Sequence, residues 1–439
     1  MTDLLAARSQ MAISLMFHIL FAIAGMAMPV LMVVSEALWL RTGRTVYLDL
    51  TRRWAKGTAI LFAVGAVSGT VLSFELGLLW PKFMEHAGAI IGMPFSLEGF
   101  AFFTEAIFLG IYLYGWDRVA PRAHLAAGVV VAVSGGLSAV FVVTANAWMN
   151  TPVGFELVDG RMTNIDPVAA MLSPAAFPEA LHMLLAAYAA VGFAVAGIHA
   201  FVLLRHPGDP FHRAALAIAL LVGGPAALLQ PVSGDSLARM VAKTQPAKLA
   251  ALEGQFATER GAPLRLGGLP DPERRTTRWA IEIPYGLSLL AHHDPHATIV
   301  GLNDIPRESW PNPVIVHPSF QIMIACGTAM ALLALAAGFL AWRRRHQPDR
   351  LPDQRWLLRS LVFASPLGVL GLEAGWFVTE LGRQPWIIQG VMRTRDALTP
   401  MPGLTVPLVT ITLVYLALGL IVIVLLRRHV ISTVPSVPV

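Results

Sequence analysis

Glu373 and Glu380 stand one heptad apart in GLEAGWFVTELGRQPW, residues 371–386, inside a stretch apolar enough to enter a bilayer. A carboxylate at that depth is costly unless a metal, a proton or a cation compensates it, and Arg383 lies close by in sequence. Glu98 and Glu105 are also seven apart, on one face of a helix and about 10 Å apart along its axis. Titratable groups spaced in this way suit proton relay. His18 and His182 sit in apolar runs, and Met323 opens another. Histidine and methionine are strong and weak axial ligands of haem iron, whereas a single histidine or carboxylate leaves an iron position open to a small molecule. Each residue also has a plainer reading. His182 taken alone is a satisfied core histidine, Met323 is packing, and the two glutamates are acids near a helix end.

Composition narrows the setting for this chemistry. Of 439 residues 56% are hydrophobic and 13% charged, with a mean hydropathy of +0.63, whereas soluble domains carry about 25% charged residues. This is a polytopic membrane protein. The net charge of +5 and pI near 9.6 come from short basic clusters between apolar runs, which is membrane topology and not a nucleic-acid face. The single cysteine, Cys326, excludes an internal disulfide and a cysteine-based zinc or iron–sulfur site, while thirteen histidines keep haem open. The first apolar run, residues 11–35, is long enough to span by itself, so no short cleavable signal is expected.

Apolar runs near 20 residues predict an all-α transmembrane bundle of about nine helices, at 11–35, 54–77, 96–115, 124–147, 178–204, 213–232, 316–342, 357–381 and 404–427. Basic residues follow the odd-numbered helices, for example Arg41, Arg44, Arg52 and Arg53, then Arg343, Arg344, Arg345, Arg350 and Arg355. The positive-inside rule therefore places the N-terminus outside and the C-terminus in the cytoplasm. Arg383, Arg393 and Arg395 run mildly against it. Residues 233–315 form a long polar outer segment, of a length that is usually functional or disordered. The expected organisation is 1–232, six helices with haem ligands and a proton path, then the outer loop 233–315, then 316–439, three helices with the remaining ligands. In this orientation His18, Glu98, His182, Met323 and Glu380 all fall in the outer half of the membrane.

The motifs resemble subunit I of the cytochrome bd-type quinol oxidases over nearly the full length. They include MFHILF around His18, LEGFAFFTE at 97–105, GWDR at 115–118, TANAWMN at 144–150, ALHMLLAAY around His182 and GDS at 234–236. KLAALE at 248–253, IPY at 283–285, IMIACG at 322–327 and EAGWFVTELGRQPW at 373–386 complete the set. The resemblance implies that His182 and Met323 are the axial ligands of a low-spin haem b. It implies that His18 and Glu380 serve a high-spin haem b and a haem d, or a third haem b. It places Lys248 and Glu253 at the quinol site, and Glu98, Glu105 and Ser138 on the proton path, with Asp117 near its inner end. Trp376 would pack against the haems and Arg383 would hold a propionate or compensate the carboxylate.

The same resemblance implies oxidation of quinol at the outer face and reduction of O2 to water with cytoplasmic protons, giving proton motive force without pumping. It implies a bacterial cytoplasmic membrane, a second integral-membrane subunit and, as in some members, a very small single-helix one. The outer loop is short, like that of the cyanide-insensitive oxidases. Gln321 stands two residues before Met323, where some relatives carry an arginine that raises the low-spin haem potential. Glu75, in FELGLLW, has no role in that pattern; it reads equally as a hydrogen-bonded structural carboxyl or a functional one.

Overall fold

The computed structural model describes residues 1–345 and 354–431. Arg350 of the basic connector and the last residues of the 316–439 segment lie outside them. Among the described residues, nine helices are long and apolar enough to cross a membrane, in the expected order. They are α1 (Asp3–Thr42), α2 (Thr45–Leu79), α3 (Pro81–Tyr114), α4 (Pro121–Asn150), α6 (Ala176–Arg205), α7 (Pro210–Thr244), α10 (Pro313–Arg343), the pair α11 (Arg355–Ala364) and α12 (Leu367–Gly382), and α13 (Thr405–Leu426). Short α5 (Pro167–Met171), α8 (Pro246–Glu253) and α9 (Gly286–His292) lie between them.

Local chemistry explains where these helices begin. Proline, whose missing N–H costs nothing in a first turn, opens α3, α4, α7, α8 and α10. Asp209 caps α7 by accepting from the amides of Phe211 and His212, and Asn312 caps α10 at Val314. Helices extend past the apolar runs because hydropathy marks what the bilayer covers and not where hydrogen bonding stops. So α3 begins at Pro81 and not near residue 96, and residues 233–244 of the polar segment continue α7.

α1 is central, packing on α2, α4, α6, α7 and α13, and its buried face joins Leu31, Met32, Leu50, Tyr112 and Leu372 in one core. α6 and α7 pack backbone to backbone at Gly192 and Gly223, where a Cβ on Gly192 would stand 2.5 Å from the Cα of Gly223. The polar segment is folded. Hairpins pair Leu264–Leu266 with Ile281–Ile283 and Leu269–Asp271 with Thr276–Arg278, and Phe256, Leu287, Ile299 and Leu302 form its own core against Val316 and Val378. That segment marks one end of the bundle as the loop end; the arginine-rich connectors mark the basic end.

Candidate functional site

α12 carries Glu380 to the loop end, and Arg383 follows as its C-cap. Arg383 is 2% exposed and donates from Nη2 to Glu380 Oε2 at 2.7 Å. Glu380 Oε1 accepts from Asn146 Nδ2 of α4 at 2.5 Å. One turn on, Asn150 donates to Asn146 Oδ1 at 3.1 Å and accepts from Lys248 Nζ at 3.1 Å. Glu179, buried in the first turn of α6, lies within electrostatic reach of Lys248, Arg383 and Glu380. Two acids and two bases thus meet where α4, α6, α8 and α12 converge. Nε and Nη1 of Arg383 are buried with no acceptor, an arrangement that suits an anionic oxygen-bearing group.

Lys248 and Glu253 stand on α8, both 4% exposed. Burial pulls the Lys248 ammonium down to about 8 against the opposing pull of Glu179, and pushes Glu253 up to about 7 against that of Arg265. Glu253 Oε2 is buried without a hydrogen bond. Two α10 side chains brace the segment. Gln321 accepts from the Gly267 amide at 3.0 Å and donates to the Arg265 carbonyl at 3.1 Å, and His317 contacts the carbonyls of Leu252 at 2.6 Å and Gly267 at 2.9 Å.

The two histidines share one arrangement. His18 Nδ1 is 3.0 Å from Ser68 Oγ, and Ser68 gives its own proton to the Val64 carbonyl at 2.9 Å. His182 Nδ1 is 2.9 Å from Ser233 Oγ, and Ser233 gives its proton to the Gln230 carbonyl at 2.9 Å. A hydroxyl has one proton, so each serine accepts from Nδ1–H and leaves the Nε2 lone pair for another partner. Gln230 Nε2 lies beside the same ring, 3.1 Å from Nε2 and 3.3 Å from Nδ1, and donates to the His182 carbonyl at 3.2 Å. Small residues give the rings room. A Cβ on Gly69 would stand 2.9 Å from His18 Cε1, and one on Gly234 would stand 3.3 Å from His182 Cε1. On α12, Gly375 presents bare backbone to Met323, whose Sδ would lie 3.2 Å from a Cβ there.

On α3, Glu98 accepts from Ser138 of α4 at 3.3 Å, and Glu105 lies within electrostatic reach of Glu98. Gly25 and Gly135 cradle the Glu105 carboxylate, which would stand 3.6 and 3.1 Å from Cβ atoms at those positions. Asp117 is exposed at the basic end. Trp376 packs on the central core. Glu373 keeps both carboxylate oxygens buried and without partners. Glu75 accepts from Gln10 at 2.9 Å and Ser14 at 3.0 Å, yet its Oε2 has no partner.

The folded chain thus unites Glu380, Arg383 and Lys248, and unites Glu98, Glu105 and Ser138, as two separate groups. Sequence reasoning missed Glu179, Asn146, Asn150, Ser68, Ser233 and Gln230. The one available signal was the spacing of two asparagines one turn apart in TANAWMN. No cluster of three His, Cys, Asp or Glu suited to a bare ion exists among the described residues. The candidate donors named from the sequence are single histidines, one methionine and one carboxylate, a set that would fit iron whose other ligands come from a macrocycle.

A family model described as cytochrome bd terminal oxidase subunit I matches residues 6–434. The putative cytochrome bd menaquinol oxidase subunit I of Bacillus subtilis is 37% identical over 437 residues, covering 98% of each chain. The cytochrome bd ubiquinol oxidase subunit 1 of the same organism is 31% identical, covering 98% of this chain and 94% of that one. The solved structure of the bd oxidase from Geobacillus thermodenitrificans matches with a TM-score of 0.90 at 37% identity, covering 98% of this chain and 99% of that one.

Proposed function

The chain belongs to the cytochrome bd terminal oxidase subunit I family, and on that premise we propose that it oxidises quinol and reduces O2 to water in a bacterial cytoplasmic membrane. The observation that carries the reading is the matched pair of histidines, each committed through Nδ1 to a serine and presenting Nε2. His182 and Met323 would hold a low-spin haem b, and His18 and Glu380 would each hold a high-spin haem, one of b type and one either d or b. When bound, the haems supply the one-electron chemistry that joins quinol oxidation to oxygen reduction.

The chain's own residues bind, orient and move protons. Lys248 on α8 anchors the quinol, and Glu253, with Oε2 unpartnered and its acidity lowered by burial, accepts a quinol proton. Arg383 offers two unused donors to a propionate and neutralises Glu380. Trp376 supplies an aromatic wall. The Glu98–Ser138–Glu105 group passes protons from the basic end toward the oxygen site, with Asp117 as its exposed entry. With the positive-inside orientation, quinol protons leave outside while water is made from cytoplasmic protons, so charge separates without a pump. The division into 1–232, 233–315 and 316–439 follows the same roles.

A second hydrophobic subunit, subunit II, with or without a small single-helix subunit, completes the enzyme. Met323→Leu in the purified complex tests the ligand assignment by a reduced-minus-oxidised spectrum. The low-spin haem band should vanish while the high-spin bands persist; an unchanged spectrum rejects the ligand.

A further inference from the structure

We propose that Asn150 and Asn146 couple the quinol loop to Glu380, forming a one-way chain of hydrogen bonds through which the Lys248 ammonium polarises the Glu380 carboxylate. The inference rests on reading Lys248 as a quinol residue and Glu380 as an iron ligand.

Lys248 Nζ donates to Asn150 Oδ1, Asn150 Nδ2 donates to Asn146 Oδ1, and Asn146 Nδ2 donates to Glu380 Oε1. Every donor faces the same way. The charged ends impose that direction, because an ammonium only donates and an ionised carboxylate only accepts. Turning either amide round would set N–H against N–H at one joint and oxygen against oxygen at another. Bonds aligned head to tail polarise one another, and burial strengthens the effect. Asn150 is 1% exposed and Lys248 4%, so little water screens the lysine end of the chain, whereas the Glu380 side chain is 31% exposed.

The supports are rigid. Asn146 and Asn150 are four residues apart at the C-terminal end of α4, on one face of the helix. Lys248 also reaches the carbonyl of Thr379, the residue before Glu380, at 3.4 Å. The lysine and the carboxylate are therefore held at both ends of one short bridge. A quinol that engages Lys248 competes with Asn150 for its protons, which relaxes the Asn146–Glu380 bond and leaves more electron density on Glu380. Occupancy of the quinol site is thereby felt at an oxygen-side ligand. By reciprocity, a change in the charge at Glu380 alters quinol affinity.

Two variants interrupt the chain without replacing either end. Asn150→Leu has similar size and no amide. Asn150→Asp keeps an acceptor for Lys248 but loses the donor to Asn146. In purified complexes the readouts are haem content, the spectrum and midpoint potential of the high-spin haems, and the KM for a short-chain quinol. The expected result is retained haem, a shifted high-spin potential, and a quinol KM changed by at least about five-fold. Lys248→Met should give the same spectral shift, and adding Asn150→Leu to it should change nothing further. Unshifted spectra and potentials beside an altered KM would overturn the coupling, as would independent, additive effects of the two substitutions. Loss of assembly in both Asn150 variants would make the pair a mere staple between helices. Glu380→Ala separates this from the reading beneath it: if all haem bands survive that change, the ligand assignment itself fails.

Discussion

Glu380 and Glu373 occupy the same helix seven residues apart, and their surroundings are opposite. Glu380 is held on both oxygens, by Arg383 and Asn146, where four helices and the loop converge. Glu373 is buried with neither oxygen paired. A carboxylate bonded to a cation and an amide is fixed in place, ready to act as a ligand. A bare one in an apolar setting has no such support. Helix periodicity made the two acids equivalent; their partners separated them.

The largest test of this contrast is Glu380→Ala, which removes the acid and strands Arg383. One high-spin haem signal should disappear, and turnover should fall by at least about 100-fold, read by oxygen electrode and difference spectrum. Arg383→Leu leaves Glu380 with its amide alone. Haem occupancy should drop by roughly ten-fold, measured as haem per protein, whereas unchanged occupancy would remove Arg383 from the site.

The same pairing contrast recurs outside the membrane, where Lys248 has partners and Glu253 Oε2 has none. Glu253 works as a base only when ionised, so quinol oxidation should rise with pH through about 7. Lys248 works only when charged, so the rate should fall as pH passes about 8. The profile is a bell peaking between those values. Glu253→Gln should erase the acid limb and leave the alkaline one, with a several-fold loss of rate at the former optimum. The smallest expected effect belongs to Glu373→Gln, which keeps the side chain's shape. Turnover should stay within about two- to three-fold and haem content should not move; a slower rate with full haem would instead put Glu373 on the proton path.

Much of the fold was legible from composition. Nine spans and their order follow from apolar runs, because each span must be long and uncharged to lie in a bilayer. The shared faces of Glu98 with Glu105 and of Glu373 with Glu380 follow from helical period alone. Motif resemblance singled out His18, His182, Met323, Lys248 and Glu380. Helix ends were less legible, as α3 and α7 show, since backbone hydrogen bonding continues after hydropathy falls.

What tertiary structure decided was partnership. Ser68 is fifty residues from His18, Ser233 is 51 from His182, and Asn146 is 234 from Glu380. No local periodicity links such pairs. They meet because glycines at 69, 192, 223 and 375 let particular helix faces close at particular registers, and register is a property of two packed surfaces. The sequence by itself determined that costly polar groups would be buried in a membrane bundle. Packing alone determined which were satisfied and which, like Glu373, were left bare.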